Sequence, residues 1–516
     1  MQLRSRVIFT LLVTGLMMLV SARTYADPLT VKTGLGKVHG KIINEGKVKA
    51  FLGLPYAAPP VGDLRWKAPT PAVKWNGVRD ATRYGARCMQ RAVFADMVFQ
   101  DAGPSEDCLY LNVFTPASAK SKSKLPVMFW IHGGGYVGGS ASEPRHNGDF
   151  LPTKGVVLVT INYRLGVFGF LATSDLAKEA DGSAGNYGLM DMIAALQWVK
   201  TNISKFGGDP GNVTIFGESA GSFAVSTLMA SPMAQGLFQK AIGESGGAFG
   251  GGLATSSLED RTARDGKWVD SLDVKSLAEL RAVPADKLLE DVSKPGTPGF
   301  SPVIDGKVLT EPISETYEQG KQAHVPLLAG WNRDEGSMKG MTAEKWKAWA
   351  EEHVPDRAQE FLRLYPGDTD EQAERSASDF AGDSFIAFST WRWITAHVKT
   401  GEAPVYRYHL ELAAPPSKFH PALAFHSDDI EYVFGTLDTR PGAEWRPEDR
   451  TLSEQMMTYW TNFAKTGDPN SEGLPLWPKT GTENIILHLD NPITVAPSTV
   501  EPRYEFLLQG MPALRR

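Results

Sequence analysis

Short apolar runs alternate with helical patterns through the first half of the chain. Runs rich in β-branched residues occur at residues 125–134, 155–166 and 213–219, and residues 188–207 between the last two have a helical apolar period. Nearly continuous apolar strands separated by helices are typical of a parallel sheet that is covered on both faces. We therefore predict an α/β fold with a large, mostly parallel central sheet. Active sites in such sheets lie beyond the carboxyl ends of the strands.

Two later stretches have a different pattern. Residues 254–296 and 341–400 are rich in charged and helix-forming residues, and we expect them to be helical insertions over the active-site end of the sheet. Further elements are predicted at residues 403–412 and 485–490 (strands) and 453–467 (helix). Because no linker, charge block or repeat divides the chain, we expect residues 27–516 to form a single α/β domain.

The first 26 residues have the pattern of a secretory signal. Arg4 and Arg6 precede an apolar run at residues 7–20, and small residues follow it. The apolar run is shorter than the roughly 20 residues that span a bilayer. We therefore expect residues 1–26 to be a signal peptide and the protein to be exported, either periplasmic or secreted. No later stretch is apolar enough for a transmembrane anchor after cleavage.

Charge and cysteine content narrow the function further. The formal net charge is -6, and no basic cluster marks a nucleic-acid partner. Cys88 and Cys108 are the two cysteines of the chain, and in an oxidising compartment such a pair predicts one disulfide. No further soft ligands cluster near them, so we expect neither a metal nor another cofactor. Nothing in the sequence indicates the oligomeric state.

The pattern GxSxG occurs twice, around Ser219 and around Ser245. A nucleophile at such a motif needs a strand before it, a tight turn with small neighbours, and a helix after it. Ser219 has all three, because residues 213–216 form a β-branched run and residues 220–230 have a helical period. Ser245 is followed by a glycine-rich segment that does not favour a helix. We therefore predict Ser219 as the nucleophile.

A glycine-rich loop provides independent support for hydrolytic chemistry. The apolar run at residues 125–131 ends in His132 and three glycines. In hydrolases a loop of this type donates backbone N–H groups to the oxyanion of the tetrahedral intermediate, together with the residue after the nucleophile. We predict Gly134, Gly135 and Ala220 as these donors, and we expect His132 to be structural.

The general base and its acidic partner stay open at this level. The partners follow the nucleophile in the order acid, then histidine. Two histidines, His420 and His426, lie in the loop after the strand predicted at residues 403–412, and the residues alone do not separate them. Asp334 and Glu335 follow a predicted strand, and either carboxylate fits the acid. We expect the other one to be a solvated surface charge.

The chain resembles the type-B carboxylesterases, the cholinesterase-like branch of the α/β-hydrolase fold. The resemblance runs nearly end to end and rests on these segments: "FLGLPYAAPPVGDLRWKAP", "SEDCLYLNVFTP", "WIHGGGYVGGS", "NYRLGVFGFL", "GNYGLMDMIAALQWVKTNISKFGGDPGNVTIFGESAGS", "GWNRDEG", "HSDDIEYVFG" and "FAKTGDPN". It implies a triad of Ser219, Glu335 and His426. It also implies that Cys88 and Cys108 are paired.

The resemblance implies supporting roles for three further residues. Ser245 corresponds to a residue near the triad, and Glu218 and Asp429 match acidic positions of the family's buried polar network. The expected activity is hydrolysis of a small carboxylic ester by water through an acyl-enzyme, without a cofactor. The alternatives are a lipase for longer-chain lipid esters and a non-catalytic binding protein on the same fold.

Overall fold

The computed structural model describes residues 27–250, 253–481 and 484–510, and the predicted signal peptide lies outside these ranges. The strands are β1 (Thr30–Lys32), β2 (Lys37–His39), β3 (Lys41–Ile43), β4 (Val48–Pro55), β5 (Val78–Asp80), β6 (Arg87–Cys88), β7 (Pro104–Ser105), β8 (Tyr110–Pro116), β9 (Leu125–Ile131), β10 (Val157–Ile161), β11 (Gly208–Glu218), β12 (Lys240–Glu244), β13 (Ser256–Ser257), β14 (Val303–Ile304), β15 (Leu327–Asn332), β16 (Val405–Leu410), β17 (Ile485–Leu489) and β18 (Thr494–Pro497).

Fifteen α-helices accompany these strands in the described residues. They are α1 (Gly166–Phe170), α2 (Ser174–Glu179), α3 (Tyr187–Asn202), α4 (Ala220–Ala230), α5 (Leu258–Asp270), α6 (Leu277–Ala282), α7 (Ala285–Asp291), α8 (Ile313–Glu318), α9 (Ala343–His353), α10 (Ala358–Leu364), α11 (Asp370–Gly382), α12 (Phe388–Thr400), α13 (Asp429–Phe434), α14 (Pro447–Thr466) and α15 (Glu501–Leu508). A π-helical segment, Asp383–Ala387, joins α11 to α12.

The main element of the fold is an eleven-stranded sheet. Its strand order is β18-β17-β16-β15-β12-β11-β9-β10-β8-β4-β3. The strands from β10 through β17 in this order pair in parallel, whereas β18 at one edge and β8, β4 and β3 at the other pair antiparallel. The mostly parallel central sheet predicted from the apolar runs is confirmed.

The apolar character of the central strands follows from burial on both faces. In β9, Val127, Phe129 and Ile131 belong to one buried cluster with residues of α3 and α4. Met128 and Trp130, which alternate with them, belong to a second buried cluster with residues of α13 and α14. Successive side chains of a strand point to opposite faces, so each face of the sheet carries its own layer of helices.

The antiparallel strands before β9 were not predicted, although β4 and β8, with eight and seven residues, are as long as most of the central strands. The insertion at residues 254–296 contains α5 to α7, and that at residues 341–400 contains α9 to α12, so both are helical as predicted. None of the helices in the described ranges combines the length and apolarity needed to cross a membrane.

Candidate active site

A sharp turn between β11 and α4 carries Ser219. The strand ends at Glu218, the helix begins at Ala220, and Ser219 itself has φ 53° and ψ -124°. A non-glycine residue rarely adopts positive φ, and such strain concentrates at functional sites. The turn leaves the Ala220 N–H at the first position of the helix, where it has no partner within the helix. Ser219 therefore lies between a strand end and a helix start, as its motif predicted.

The two glycines of the motif permit close packing of α4 on β9. A Cβ atom on Gly221 would lie 2.0 Å from the Ile131 carbonyl oxygen, and one on Gly217 would lie 2.5 Å from the same atom. These contacts are with backbone, which cannot rotate away. Any larger residue would push the helix, and Ser219 with it, away from the end of β9.

The glycine loop after β9 lies beside this turn. Gly134 and Gly135 have φ of 96° and 62°. The Gly134 carbonyl accepts hydrogen bonds from the N–H groups of Val137 and Gly138 at 3.0 Å, which folds the loop back on itself. Within the described residues, neither the Gly134 nor the Gly135 N–H donates to a backbone carbonyl. These N–H groups and that of Ala220 are the predicted oxyanion donors.

Ser219, His426 and Glu335 form a continuous hydrogen-bonded chain. The Ser219 Oγ lies 2.9 Å from His426 Nε2, and His426 Nδ1 lies 2.6 Å from Glu335 Oε2. Glu335 comes three residues after β15, and His426 lies in the loop between β16 and α13. The three side chains predicted as a triad thus come from three separate parts of the sheet's carboxyl edge.

Asp334 has a different role from its neighbour Glu335. Its carboxylate accepts hydrogen bonds from Arg375 at 2.5 Å and from the Ala424 N–H at 3.0 Å. It is 8% exposed, so the expectation that the second acid would be a solvated surface charge is wrong. The reason is that Asp334 ties the loop of His426 to the end of β15, also through the Asp334 N–H and the Ala424 carbonyl at 2.9 Å.

His420 lines the same cavity as His426 but contacts other groups. Its Nε2 lies 3.3 Å from Asp96 Oδ2, and its ring stacks on Phe425 with centroids 3.7 Å apart. The structure therefore distinguishes the two histidines that the sequence left as alternatives. His426, and not His420, lies within hydrogen-bond distance of Ser219. His132, in turn, is buried against Tyr163, and burial lowers its pKa to about 4.

Ser245, the serine of the second GxSxG motif, contacts the carboxylate that partners His426. Ser245 follows β12, which pairs with β11 in a register that places Glu244 opposite Glu218. Ser245 also has φ 53°, no helix begins in the described residues 246–250 that directly follow it, and its hydroxyl donates a 2.5 Å hydrogen bond to Glu335 Oε1. The Asn332 N–H donates to the same oxygen at 2.7 Å. Two donors on Oε1 hold the carboxylate while Oε2 faces His426.

Buried carboxylates surround the imidazole. Glu218 Oε1 lies 3.2 Å from His426 Nε2, and burial raises the pKa of Glu218 to about 8. Burial by itself lowers the pKa of His426, but the charges of Glu218 and Glu335 outweigh it and raise this pKa to about 9. Asp429, the first residue of α13, accepts a 2.9 Å hydrogen bond from the Tyr408 hydroxyl. Burial raises the pKa of Asp429 to about 6.

A cavity of about 490 Å³ opens at Ser219. Its walls are mostly apolar and aromatic, with Phe94, Met97, Phe223, Leu253, Phe385, Ile386 and Phe425 among the lining residues. Phe385 and Ile386 come from the π-helical segment, so the insertion at residues 341–400 shapes the cavity as expected. None of its described lining residues comes from residues 254–296, which we also expected at the entrance.

The segment between the two cysteines also contributes to the cavity wall, which its sequence does not indicate. Cys88 and Cys108 form the predicted disulfide, and the loop that they close supplies Phe94, Asp96 and Met97 to the cavity wall. The alternation of apolar and polar residues in this loop resembles that of any surface loop. Its position over Ser219 depends on contacts with residues more than 300 positions away, such as that of Asp96 with His420.

The family model and the curated relatives identify the same family. A family model described as "Carboxylesterase family" matches residues 27–507. The chain is 36% identical to fumonisin B1 esterase of Sphingopyxis macrogoltabida, over 89% of this chain and 86% of that protein. It is 37% identical to carboxylesterase 1D of Rattus norvegicus, over 88% of each.

Solved structures give the same result for the fold. A thermophilic PNB esterase superposes with a TM-score of 0.80 at 34% identity, over 93% of this chain and 100% of that chain. A carboxylesterase of Geobacillus stearothermophilus superposes with a TM-score of 0.79 at 34% identity, over 93% of this chain and 99% of that chain. The resemblance inferred from the sequence motifs is confirmed: the chain belongs to the carboxylesterase family, has the α/β-hydrolase fold and is a carboxylic ester hydrolase.

Proposed function

We propose that this hydrolase is a serine esterase that works through an acyl-enzyme. Ser219 Oγ attacks the ester carbonyl while His426 Nε2 takes the hydroxyl proton, and the alcohol leaves with that proton. Water then attacks the acyl-enzyme with His426 again as the base, which releases the acid and restores Ser219. The observation that carries the proposal is the chain of contacts at 2.9 Å and 2.6 Å from Ser219 through His426 to Glu335.

The N–H groups of Gly134, Gly135 and Ala220 stabilise the oxyanion in both steps. The positive φ of both glycines and the lack of backbone acceptors for their N–H groups within the described residues support this role. Losing one such donor costs about 3 kcal/mol of transition-state stabilisation in serine hydrolases. Because all three are backbone groups, substitution acts on them only through the fold of the loop and of α4.

Glu335 keeps the proton of His426 on Nδ1 and stabilises the imidazolium that forms during each transfer. The Ser245 hydroxyl and the Asn332 N–H fix the carboxylate through its other oxygen. Above its raised pKa of about 8, Glu218 adds a second negative charge beside Nε2, which favours the imidazolium further. The site thus favours the charged form of the base on both sides of the ring.

The substrate that fits this site is a small ester with apolar groups. The cavity is lined mainly by aromatic and aliphatic side chains, and its acids Asp96, Glu143 and Glu218 lie beside the guanidinium of Arg145. A lipase that acts on longer-chain esters would use the same residues. Saturation by short-chain esters below their solubility limit favours the esterase, whereas activity that appears only on emulsions favours the lipase.

Replacement of Ser219 by alanine tests the assignment of the nucleophile. We expect hydrolysis of a small aryl ester by S219A to fall by about 10⁴-fold or more, because the covalent step is lost. The matched control is S226A, which removes a buried serine of the same helix that contacts Phe223 and Ala248. Turnover of S219A at the level of S226A would overturn the proposal.

We also propose that the protein is exported after removal of residues 1–26. The arginines and apolar run of that segment support this, as does the disulfide between Cys88 and Cys108, since disulfides persist mainly in oxidising compartments. The test is the N-terminal sequence of the protein recovered from the periplasm or the medium. An intact amino terminus in protein confined to the cytosol would contradict it.

A further inference from the structure

Two histidines and one glutamate meet at the carboxyl ends of β16 and β17. His409 and His488 are directly paired residues of these parallel strands. Glu411 comes two positions after His409, so its side chain lies on the same face. No local pattern indicates this cluster, because Glu411 and His488 are 77 residues apart.

The three side chains already converge without a metal. His409 Nδ1 lies 2.8 Å and His488 Nδ1 lies 2.7 Å from the same oxygen, Glu411 Oε1. All three atoms lie within 4.8 Å of one another. The side chains of the histidines are 16% and 15% exposed, and that of Glu411 is 27% exposed. The cluster is therefore held by the sheet but stays within reach of water.

We propose that His409, Glu411 and His488 form a binding site for Zn²⁺, with water as the fourth ligand. Imidazole nitrogen and carboxylate oxygen are ligands that zinc binds well, whereas Mg²⁺ and Ca²⁺ prefer oxygen alone. At zinc–ligand distances of about 2.1 Å in a tetrahedron, neighbouring ligand atoms lie about 3.4 Å apart. Each nitrogen therefore has to withdraw from Glu411 by roughly 0.6 Å, a side-chain movement that leaves the strands in place.

A cavity of about 250 Å³ lies beside one residue of the cluster, His409, and is not lined by Glu411 or His488. The charged residues of this cavity include both signs, namely Arg333, Glu335, Arg375, Asp379, Asp383 and Arg503. The nearby Arg407 is paired with Glu501 at 2.6 Å, so its charge is neutralised locally.

The site joins strands that are distant in sequence. β17 pairs with β16, and β18 pairs with β17, at one edge of the central sheet. A ligand that binds the folded protein and not the unfolded chain stabilises the folded protein. Bound zinc would therefore hold β16 and β17 together and stabilise the folded protein, without taking part in the chemistry at Ser219.

Direct metal titration tests the site. Untagged protein, freed of metal by a chelator, is titrated with Zn²⁺ against a chromogenic zinc indicator and with Co²⁺, whose visible absorption reports its coordination. We expect one ion per chain, a tetrahedral Co²⁺ spectrum that Zn²⁺ abolishes, and a Tm that rises with Zn²⁺ concentration. A wild-type protein without saturable uptake or a Co²⁺ band would overturn the proposal.

Two variants and one control assign the ligands. His488→Asn and Glu411→Gln each remove one ligand while keeping a hydrogen-bonding group, and we expect each to weaken zinc binding by about tenfold or more. The control is His39→Asn, which removes an exposed histidine that pairs with Asp27 at 2.9 Å. Circular dichroism verifies that each variant is folded. Uptake unchanged in both ligand variants, or lost equally in His39→Asn, would contradict the assignment.

Discussion

At the scale of single residues, the two oxygens of Glu335 have separate partners. Oε2 faces His426, and Oε1 accepts hydrogen bonds from Ser245 and from the backbone of Asn332. This explains why the chain contains two similar serine motifs. The strands that carry them are neighbours and end at the same edge of the sheet, so one serine reaches the cavity and the other reaches the acid.

Ser245→Ala removes one of the two donors on Oε1. A hydrogen bond to a charged group contributes about 1.5–3 kcal/mol, so we expect kcat/KM to fall roughly 10- to 100-fold while the fold is kept. The measurement is steady-state hydrolysis of a soluble aryl ester, with S226A as the buried-serine control. A loss as large as that of S219A, or none at all, would contradict the supporting role.

Glu218→Gln tests the electrostatics of the base. His426 must be neutral to accept a proton, so kcat/KM falls as the pH falls through its pKa, which neighbouring carboxylates raise to about 9. Removing the Glu218 charge lowers this pKa, and the acid limb of the profile therefore moves to lower pH. Profiles between about pH 5 and 10 measure the shift.

The control for this profile is Asp96→Asn. Asp96 is a carboxylate of the same cavity, but it pairs with His420 rather than His426. We expect its substitution to move the acid limb much less than Glu218→Gln does. An acid limb that stays in place in Glu218→Gln would show that Glu218 does not set the basicity of His426.

At the scale of elements, the packing of α4 on β9 places the nucleophile. Gly221→Ala forces a Cβ atom against the Ile131 carbonyl, which would lie 2.0 Å away. A displacement of the reacting atom by about 1 Å costs on the order of 100-fold in rate, and we expect at least this loss together with a lower Tm. Thermal unfolding and ester hydrolysis measure the two effects.

Gly266 offers a matched control for this substitution. It lies inside α5, and a Cβ atom there would meet nothing within 4 Å. Alanine favours a helix interior over glycine by about 1 kcal/mol, so Gly266→Ala should keep the activity and retain or raise the Tm. Equal behaviour of the two variants would contradict the packing argument.

The π-helical segment between α11 and α12 shapes the substrate cavity. Phe385 is 41% exposed, and its ring meets that of His426 edge-on with centroids 5.2 Å apart. Phe385→Ala should enlarge the cavity mouth and raise kcat/KM for bulky acyl groups relative to acetyl. The control is Phe150→Ala, which removes a similarly exposed ring that does not line the cavity. An unchanged acyl preference in Phe385→Ala would exclude it as a determinant of selectivity.

At the scale of the whole molecule, the disulfide connects stability with substrate access. The loop between Cys88 and Cys108 forms part of the cavity wall, and a disulfide that closes a loop of about 20 residues contributes about 3 kcal/mol in the chain-entropy model. Replacing both cysteines by serine should lower the unfolding free energy by about this amount and raise KM more than it lowers kcat. Denaturant unfolding and steady-state kinetics measure the two effects, and an unchanged KM would contradict the link.

Local features of the sequence predicted the central strands, the nucleophile turn and the glycine loop, because each depends on residues that are adjacent in the chain. The choice of His426 over His420 needed the family resemblance, since both lie in one loop and geometry alone separates them. The cluster of His409, Glu411 and His488 and the position of Phe385 depend on contacts between distant segments. No local pattern encodes such contacts.

The central claim is that Ser219 forms a covalent intermediate, and labelling with a fluorophosphonate tests it most directly. We expect intact mass spectrometry to show one adduct per chain, peptide mapping to place it on Ser219, and S219A to stay unlabelled. The labelled protein should lose its ester hydrolysis in proportion to the adduct. An adduct on Ser245, or an unlabelled wild-type protein as expected of a non-catalytic binding protein, would contradict the account.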